Sequence, residues 1–168
     1  MGHAQFQKFE ILDCTIRDGG YLNNWNFDRK IVKELYRNLS RTGVDIIEIG
    51  FRNIQKKDLG IWYSTPEELI NELFRDISGA TLSLLVDDGR VDLSRIPNAK
   101  DSLIKVYRIA SHKNKILEAI RLCEEIKTKG YTTSLQLMGI VGYTPGDFSA
   151  IIKPLSESSL NYIDFADS

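Results

Sequence analysis

The sequence predicts an α/β protein built from parallel strand–helix units, and three observations carry that prediction. Short β-branched apolar runs alternate with amphipathic stretches of helical period along the chain. Cap and turn residues punctuate the changeovers. Side chains able to do chemistry fall where the apolar runs stop, which is where α/β folds gather their sites. Composition agrees: 168 residues, 42% hydrophobic and 27% charged, fit one globular domain over residues 1–168. A net charge of -1 offers nucleic acid no basic stripe, and no apolar run approaches the roughly 20 residues of a membrane span. Cys14 and Cys123 form neither a CxxC nor a disulfide ladder. They read as buried free thiols, which places the protein in a reducing cytoplasm.

Residues 9–14 read as the first strand. From Asp28, apolar positions at Ile31, Val32, Leu35, Tyr36 and Leu39 mark one face of a helix, with Gly43 as its stop. The run VDIIEIGF (44–51) is a second strand. In STPEELINELF, Thr65 is the expected cap, Pro66 the first turn and Glu68 the closure of a capping box. Strands follow at 80–86 and 102–110, a helix at about 114–129 ending on Gly130, and a fifth strand at 132–140. Thr144 and Pro145 open another helix, which Pro154 should kink or end. The sixth strand is 160–166. Residues 87–101 carry no helix-length apolar stripe.

Six strands suit an open sheet, since a closed eight-stranded barrel takes about 250 residues. Against the open sheet, the sequence ends directly after a strand, and parallel strands are buried on both faces. The expectation is therefore the N-terminal part of a barrel, an incomplete (β/α)8 TIM barrel of about six units.

The first strand runs into Arg17, Asp18, Gly19 and Gly20. A guanidinium offers planar donors to a carboxylate or enolate oxygen. The adjacent carboxylate is a hard ligand for Mg²⁺ or Mn²⁺. Two glycines would let the backbone turn sharply against a ligand; a salt-bridged turn is the plainer alternative. Glu48, Arg108, Gln136, Asp167 and Ser168 lie in or at the ends of later strands.

The segments LDCTIRDGGYLNNWNF and VDIIEIGFR resemble the metal-dependent aldolase/lyase group of TIM barrels, which includes HMG-CoA lyase and the 4-hydroxy-2-oxovalerate aldolases. The resemblance runs through all six units to the final ADS and looks closest to the hydroxy-oxovalerate aldolases. GGY in place of GxQ argues against the Claisen-type synthases, although a Claisen-type acyl-CoA lyase remains the alternative enzyme. The resemblance implies carbon–carbon cleavage of a small 2-oxo acid to an aldehyde through a metal-stabilised pyruvate enolate. In it, Arg17 holds the enolate oxygen, Asp18 binds Mn²⁺ or Mg²⁺, and Glu48 supports the arginine. Arg108, Asp167 and Ser168 line the substrate mouth. Tyr21 stands where the family has its histidine base, and a phenol with a pKa near 10 is a poor base at neutral pH. The family's two histidine metal ligands would lie beyond Ser168, so this stretch is expected to be inactive alone. A non-catalytic, self-associating module is the other class, and a homo-oligomer is expected in either case.

Other features carry less. Asp87, Asp88 and Asp92 share a loop but lack calcium-loop spacing and read as a solvated turn. YTPGD (143–147) reads as a helix cap rather than an anion site. Trp25 and Trp62 either wall a pocket or fill loops. MGIVGY lacks a dinucleotide fingerprint. The histidines are His3, in the tail, and His112, read as a cap or surface residue that could face the mouth.

Overall fold

A computed structural model describes residues 9–167; His3 and Ser168 lie outside them. Six parallel strands pair in chain order: β1 (Leu12–Asp13), β2 (Ile46–Phe51), β3 (Thr81–Asp87), β4 (Ile104–Ser111), β5 (Thr132–Leu137) and β6 (Tyr162–Phe165). The sheet curls far enough for the Tyr162 hydroxyl to donate to Glu10, just ahead of β1, at 3.0 Å. The result is the half-barrel expected of an incomplete TIM barrel.

Five α-helices connect the strands. α1 (Thr15–Asn23) and α2 (Arg29–Arg41) join β1 to β2, and α3 (Glu67–Phe74) joins β2 to β3. α4 (Ile116–Thr128) and α5 (Pro145–Glu157) follow β4 and β5. Between β3 and β4 only short 3₁₀ turns occur, Leu93–Arg95 and Ala99–Asp101, as the missing apolar stripe implied. Strand alternation divides the side chains between two faces. Ile47, Ile49, Phe51, Leu84, Val86, Tyr107, Ile109, Leu135 and Leu137 are buried in the main core cluster. Val32, Tyr36, Leu69, Ile70, Ala119, Ile120, Cys123 and Ile126 from the helices complete it. Burial pushes the Cys123 thiol up to about 12, so it is an inert core thiol. Cys14 is only partly buried, preceding α1 rather than lying in a strand.

Three local expectations are corrected. Gly19 and Gly20 make no sharp turn; both lie within α1. A Cβ on Gly20 would overlap the Trp25 indole, so the residue is small because the ring lies against it. Thr65 does not cap α3. Pro66 holds the N-cap position, while the buried Thr65 hydroxyl donates to the Trp62 carbonyl at 3.0 Å, so no capping box forms with Glu68. Pro154 does not end α5, which continues to Glu157.

Candidate active site

The start of α1 aims Arg17 inward. The Asp13 carboxylate accepts from the Thr15 N–H (3.0 Å) and hydroxyl (2.9 Å), fixing the first turn. The Trp25 indole N–H then donates to the Arg17 carbonyl at 2.9 Å. Opposite, β2 carries Glu48 toward the lumen, with no solvent exposure. The register to β3 shifts between Glu48 and Phe51, a bulge in which Gly50 has φ 153°. A side chain on Gly50 would strike the Trp62 carbonyl, so close approach and backbone angle both demand glycine there.

Two arginines meet on Glu48. Arg17 Nε donates to Glu48 Oε1 at 2.8 Å, and Arg108 Nη1 donates to Oε1 and Oε2 at 3.2 and 3.1 Å. Arg108 Nε also donates to Asp164 Oδ2 (2.9 Å), which accepts from the Ser134 hydroxyl at 2.6 Å. Arg17 Nη1 pairs with Asp18. Burial is the largest single influence and works against each guanidinium charge, yet the neighbouring carboxylates together outweigh it and hold both arginines above their ordinary pKa: Glu48 first, with Asp18 at Arg17 and Asp164 at Arg108. A cavity of about 640 Å³ opens toward the amino ends of the strands, with Arg108, Ser134 and Asp164 in its wall beside Leu12, Ile46 and Val106, while Arg17, Asp18 and Glu48 do not line it.

Arg17, Glu48 and Arg108 are thus brought together, and Asp18 joins at the rim with its side chain 57% exposed. Cys14 Sγ donates to Asp18 Oδ2 at 3.5 Å. Tyr21 is exposed one turn further along α1, its ring edge-on to Trp25 with centroids 4.8 Å apart. Burial, then the Asp87 carboxylate, raises its pKa, so the phenol stays protonated at neutral pH and is no base there. Asp167 is exposed and has no hydrogen bond or ion pair with a described residue. The acid of the sixth strand that reaches the network is Asp164, which sequence reasoning passed over. Its signal was strand alternation: in LNYIDFA it shares a face with Tyr162, two positions earlier. Gln136 is buried on β5, its amide nitrogen donating to Met138 Sδ at 3.1 Å.

The remaining candidates resolve simply. Trp25 and Trp62 are both core residues, and the Trp62 indole donates to the Phe27 carbonyl at 3.0 Å. Asp87 accepts from Asn53 and Arg90, and Asp92 from Ser94, so the loop carboxylates have separate partners. Thr144 and Asp147 form a capping box. His112 sits exposed at the N-cap of the turn Lys113–Lys115, but its side chain caps nothing.

By fold, this is a half-barrel of the kind found in aldolases, HMG-CoA lyase and the carboxyltransferase domain of pyruvate carboxylase. It superposes on the N-terminal domain of a proposed aldolase from Bacteroides vulgatus with TM-score 0.66, 22% identity, and coverage of 94% of this chain and 72% of that one. The carboxyl transferase domain of Rhizobium etli pyruvate carboxylase, with oxamate and biotin, gives TM-score 0.69 at 13% identity, covering 96% and 31%. An HMG-CoA lyase from Acinetobacter baumannii, with coenzyme A and 3-methylmalate, gives 0.65 at 14%, covering 94% and 56%.

In sequence, the chain is similar to 4-hydroxy-2-oxovalerate aldolases. That of Rhodococcus opacus is 28% identical over 138 residues, 79% of this chain and 39% of the relative. That of Geobacillus genomosp. 3 is 29% identical over 108 residues, 62% of this chain and 32% of the relative. The chain therefore spans between about a third and two fifths of the length of these relatives. No protein-family model matches it.

Proposed function

We propose that this half-barrel supplies the enolate-stabilising part of a carbon–carbon lyase site for small 2-oxo acids, in the manner of a 4-hydroxy-2-oxovalerate aldolase. One observation carries the reading. Arg17 and Arg108 are fixed on a single buried carboxylate, and the second terminal nitrogen of each makes no hydrogen bond with a described residue. A guanidinium has five N–H donors. Those left unspent are of the chemistry that suits a carboxylate or an enolate oxygen, where fixed donors stabilise developing charge without reorganising. In this reading, as the bond between C3 and C4 of a 4-hydroxy-2-oxo acid breaks, its electron pair passes to the pyruvate enolate, and Arg17 holds that oxygen. Glu48 keeps both arginines charged and in place.

The divalent metal implied by the family resemblance fits the described residues poorly. Asp18 is one carboxylate already paired with Arg17, whereas Mg²⁺ and Mn²⁺ want octahedral oxygen sets. Among the described residues no three His, Cys, Asp or Glu side chains gather to hold one.

The sequence relatives favour pyruvate chemistry over acyl-CoA chemistry. Calorimetric titration with pyruvate, with oxalate as a planar enolate mimic, and with acetyl-CoA separates them. Binding of the two small anions and not the thioester is the expected result. The reverse order would move the assignment to the Claisen-type lyases, and no binding of any of the three would remove the lyase reading.

A further inference from the structure

Next to the arginine network, Gln136 is buried without a strong hydrogen-bond partner among the described residues. It is 5% exposed. Its side-chain carbonyl oxygen, Oε1, accepts from no described residue. Its amide nitrogen donates only to the Met138 thioether, a weak acceptor, at 3.1 Å. A buried acceptor in that state has lost its hydration and gained nothing in return. The sheet shows what lies around it. On β5, Gln136 shares a face with Ser134, two positions earlier, whose hydroxyl donates to Asp164. It is in register with Asp164 itself on β6, and with Ala110 on β4, two residues past Arg108. The amide therefore belongs to the lumen face, about 6.6 Å nearer the carboxyl ends than the Arg108–Ser134 pair. A second cavity, of about 520 Å³, continues in that direction, and Ala110 and Met138 are in its wall. Gln136 stands between the arginines and that cavity.

We propose that Gln136 is a specificity-determining residue of the site, accepting a hydrogen bond from a hydroxyl on the aldehyde half of the substrate. The inference rests on the 2-oxo acid reading above and deepens it by naming the aldehyde class, a hydroxyaldehyde rather than an alkyl one. With its carboxylate and enolate oxygens on the arginines, a 2-oxo acid extends its far end toward the carboxyl ends of the strands, past this amide. A hydroxyl both donates and accepts, so it satisfies the amide whichever end is turned to it, whereas a carbonyl or carboxylate oxygen only accepts. The amide is neutral and no base. Its partner is thus a spectator hydroxyl, on C5, and not the 4-hydroxyl that loses its proton in cleavage. An alkyl end group leaves Oε1 buried and unpaired, and a site built to bond a hydroxyl rejects the analogue that lacks it.

Calorimetric titration with oxalate, 4-hydroxy-2-oxovalerate and 4,5-dihydroxy-2-oxovalerate tests this, in the wild-type chain and in Gln136→Met, which keeps the length and unbranched shape. The wild type should bind the dihydroxy acid about tenfold tighter than the monohydroxy acid. Gln136→Met should lose that preference and bind oxalate as the wild type does, since oxalate reaches only the arginines. A second measurement needs no variant: by NMR, the wild-type Gln136 side-chain amide protons should shift with the dihydroxy acid and stay in place with oxalate. Equal wild-type affinity for the two hydroxy acids overturns the proposal and leaves the 2-oxo acid reading standing. So does a preference that survives in Gln136→Met, a loss of oxalate binding in that variant, or an amide that responds alike to both ligands. If the wild type binds none of the three, the 2-oxo acid reading falls as well.

Discussion

Glu48 is the residue on which the site turns. It is fully buried and accepts from two guanidiniums, so removing its charge leaves two buried cations with one flanking carboxylate each. Breaking a buried ion pair on one side typically costs about 3–5 kcal/mol. Glu48→Gln should therefore lower the urea midpoint by an amount corresponding to that range, whereas a loss under about 1 kcal/mol would mean the arginines are held by something else. The contact between Arg17 and Glu48 was legible in the sequence because TIRDGG and IEIGF match a known pattern in which the glutamate supports the arginine. The contact made by Asp164 was not. A carboxylate within a short apolar strand announces a partner but not which one, and that partner, Arg108, comes from a strand 56 positions earlier. Asp167 looked better placed at the strand end, yet it lies beyond β6 and faces solvent.

Among the elements, α1 decides the geometry, and it is the one that sequence pattern concealed. A nine-residue helix containing two adjacent glycines contradicts helix propensity, since each glycine costs about 1 kcal/mol relative to alanine. What offsets that cost is tertiary: Trp25 folds back over Gly20, and its N–H fixes the Arg17 carbonyl. Gly20→Val should expel the indole from its place against α1 and destabilise the chain by about 1–3 kcal/mol, the usual range for overpacking. Quenched, buried Trp25 fluorescence unchanged in that variant would contradict the packing argument. By contrast, α2 and α4 were legible because their apolar positions repeat at helical spacing, and β2 to β5 because buried parallel strands are nearly continuous apolar runs. Of the two outcomes expected of Pro154, ending the helix is excluded, since α5 runs on for three residues beyond it with one backbone donor fewer.

At the scale of the whole molecule, the half-barrel presents apolar surface along both outer strands. Phe9 and Ile11 are exposed ahead of β1, and Tyr162, Ile163 and Phe165 along β6. Each outer strand pairs with a single neighbour among the described residues. Unpaired edges with apolar side chains invite association, so light scattering should show a mass that rises with concentration; a monomer at every concentration would argue that these edges are adequately protected. No helix among the described residues is long and apolar enough to cross a membrane. The central claim is that Arg17 and Arg108, gathered on Glu48, form one anion site for a 2-oxo acid. Calorimetric titration of oxalate into wild-type, Arg17→Ala and Arg17→Lys chains, with circular dichroism verifying that each is folded, tests it most directly. The account predicts measurable binding to the wild type, a loss of at least about tenfold in Arg17→Ala, equivalent to about 1.4 kcal/mol, and partial recovery in Arg17→Lys. Equal affinity in all three folded chains would contradict it.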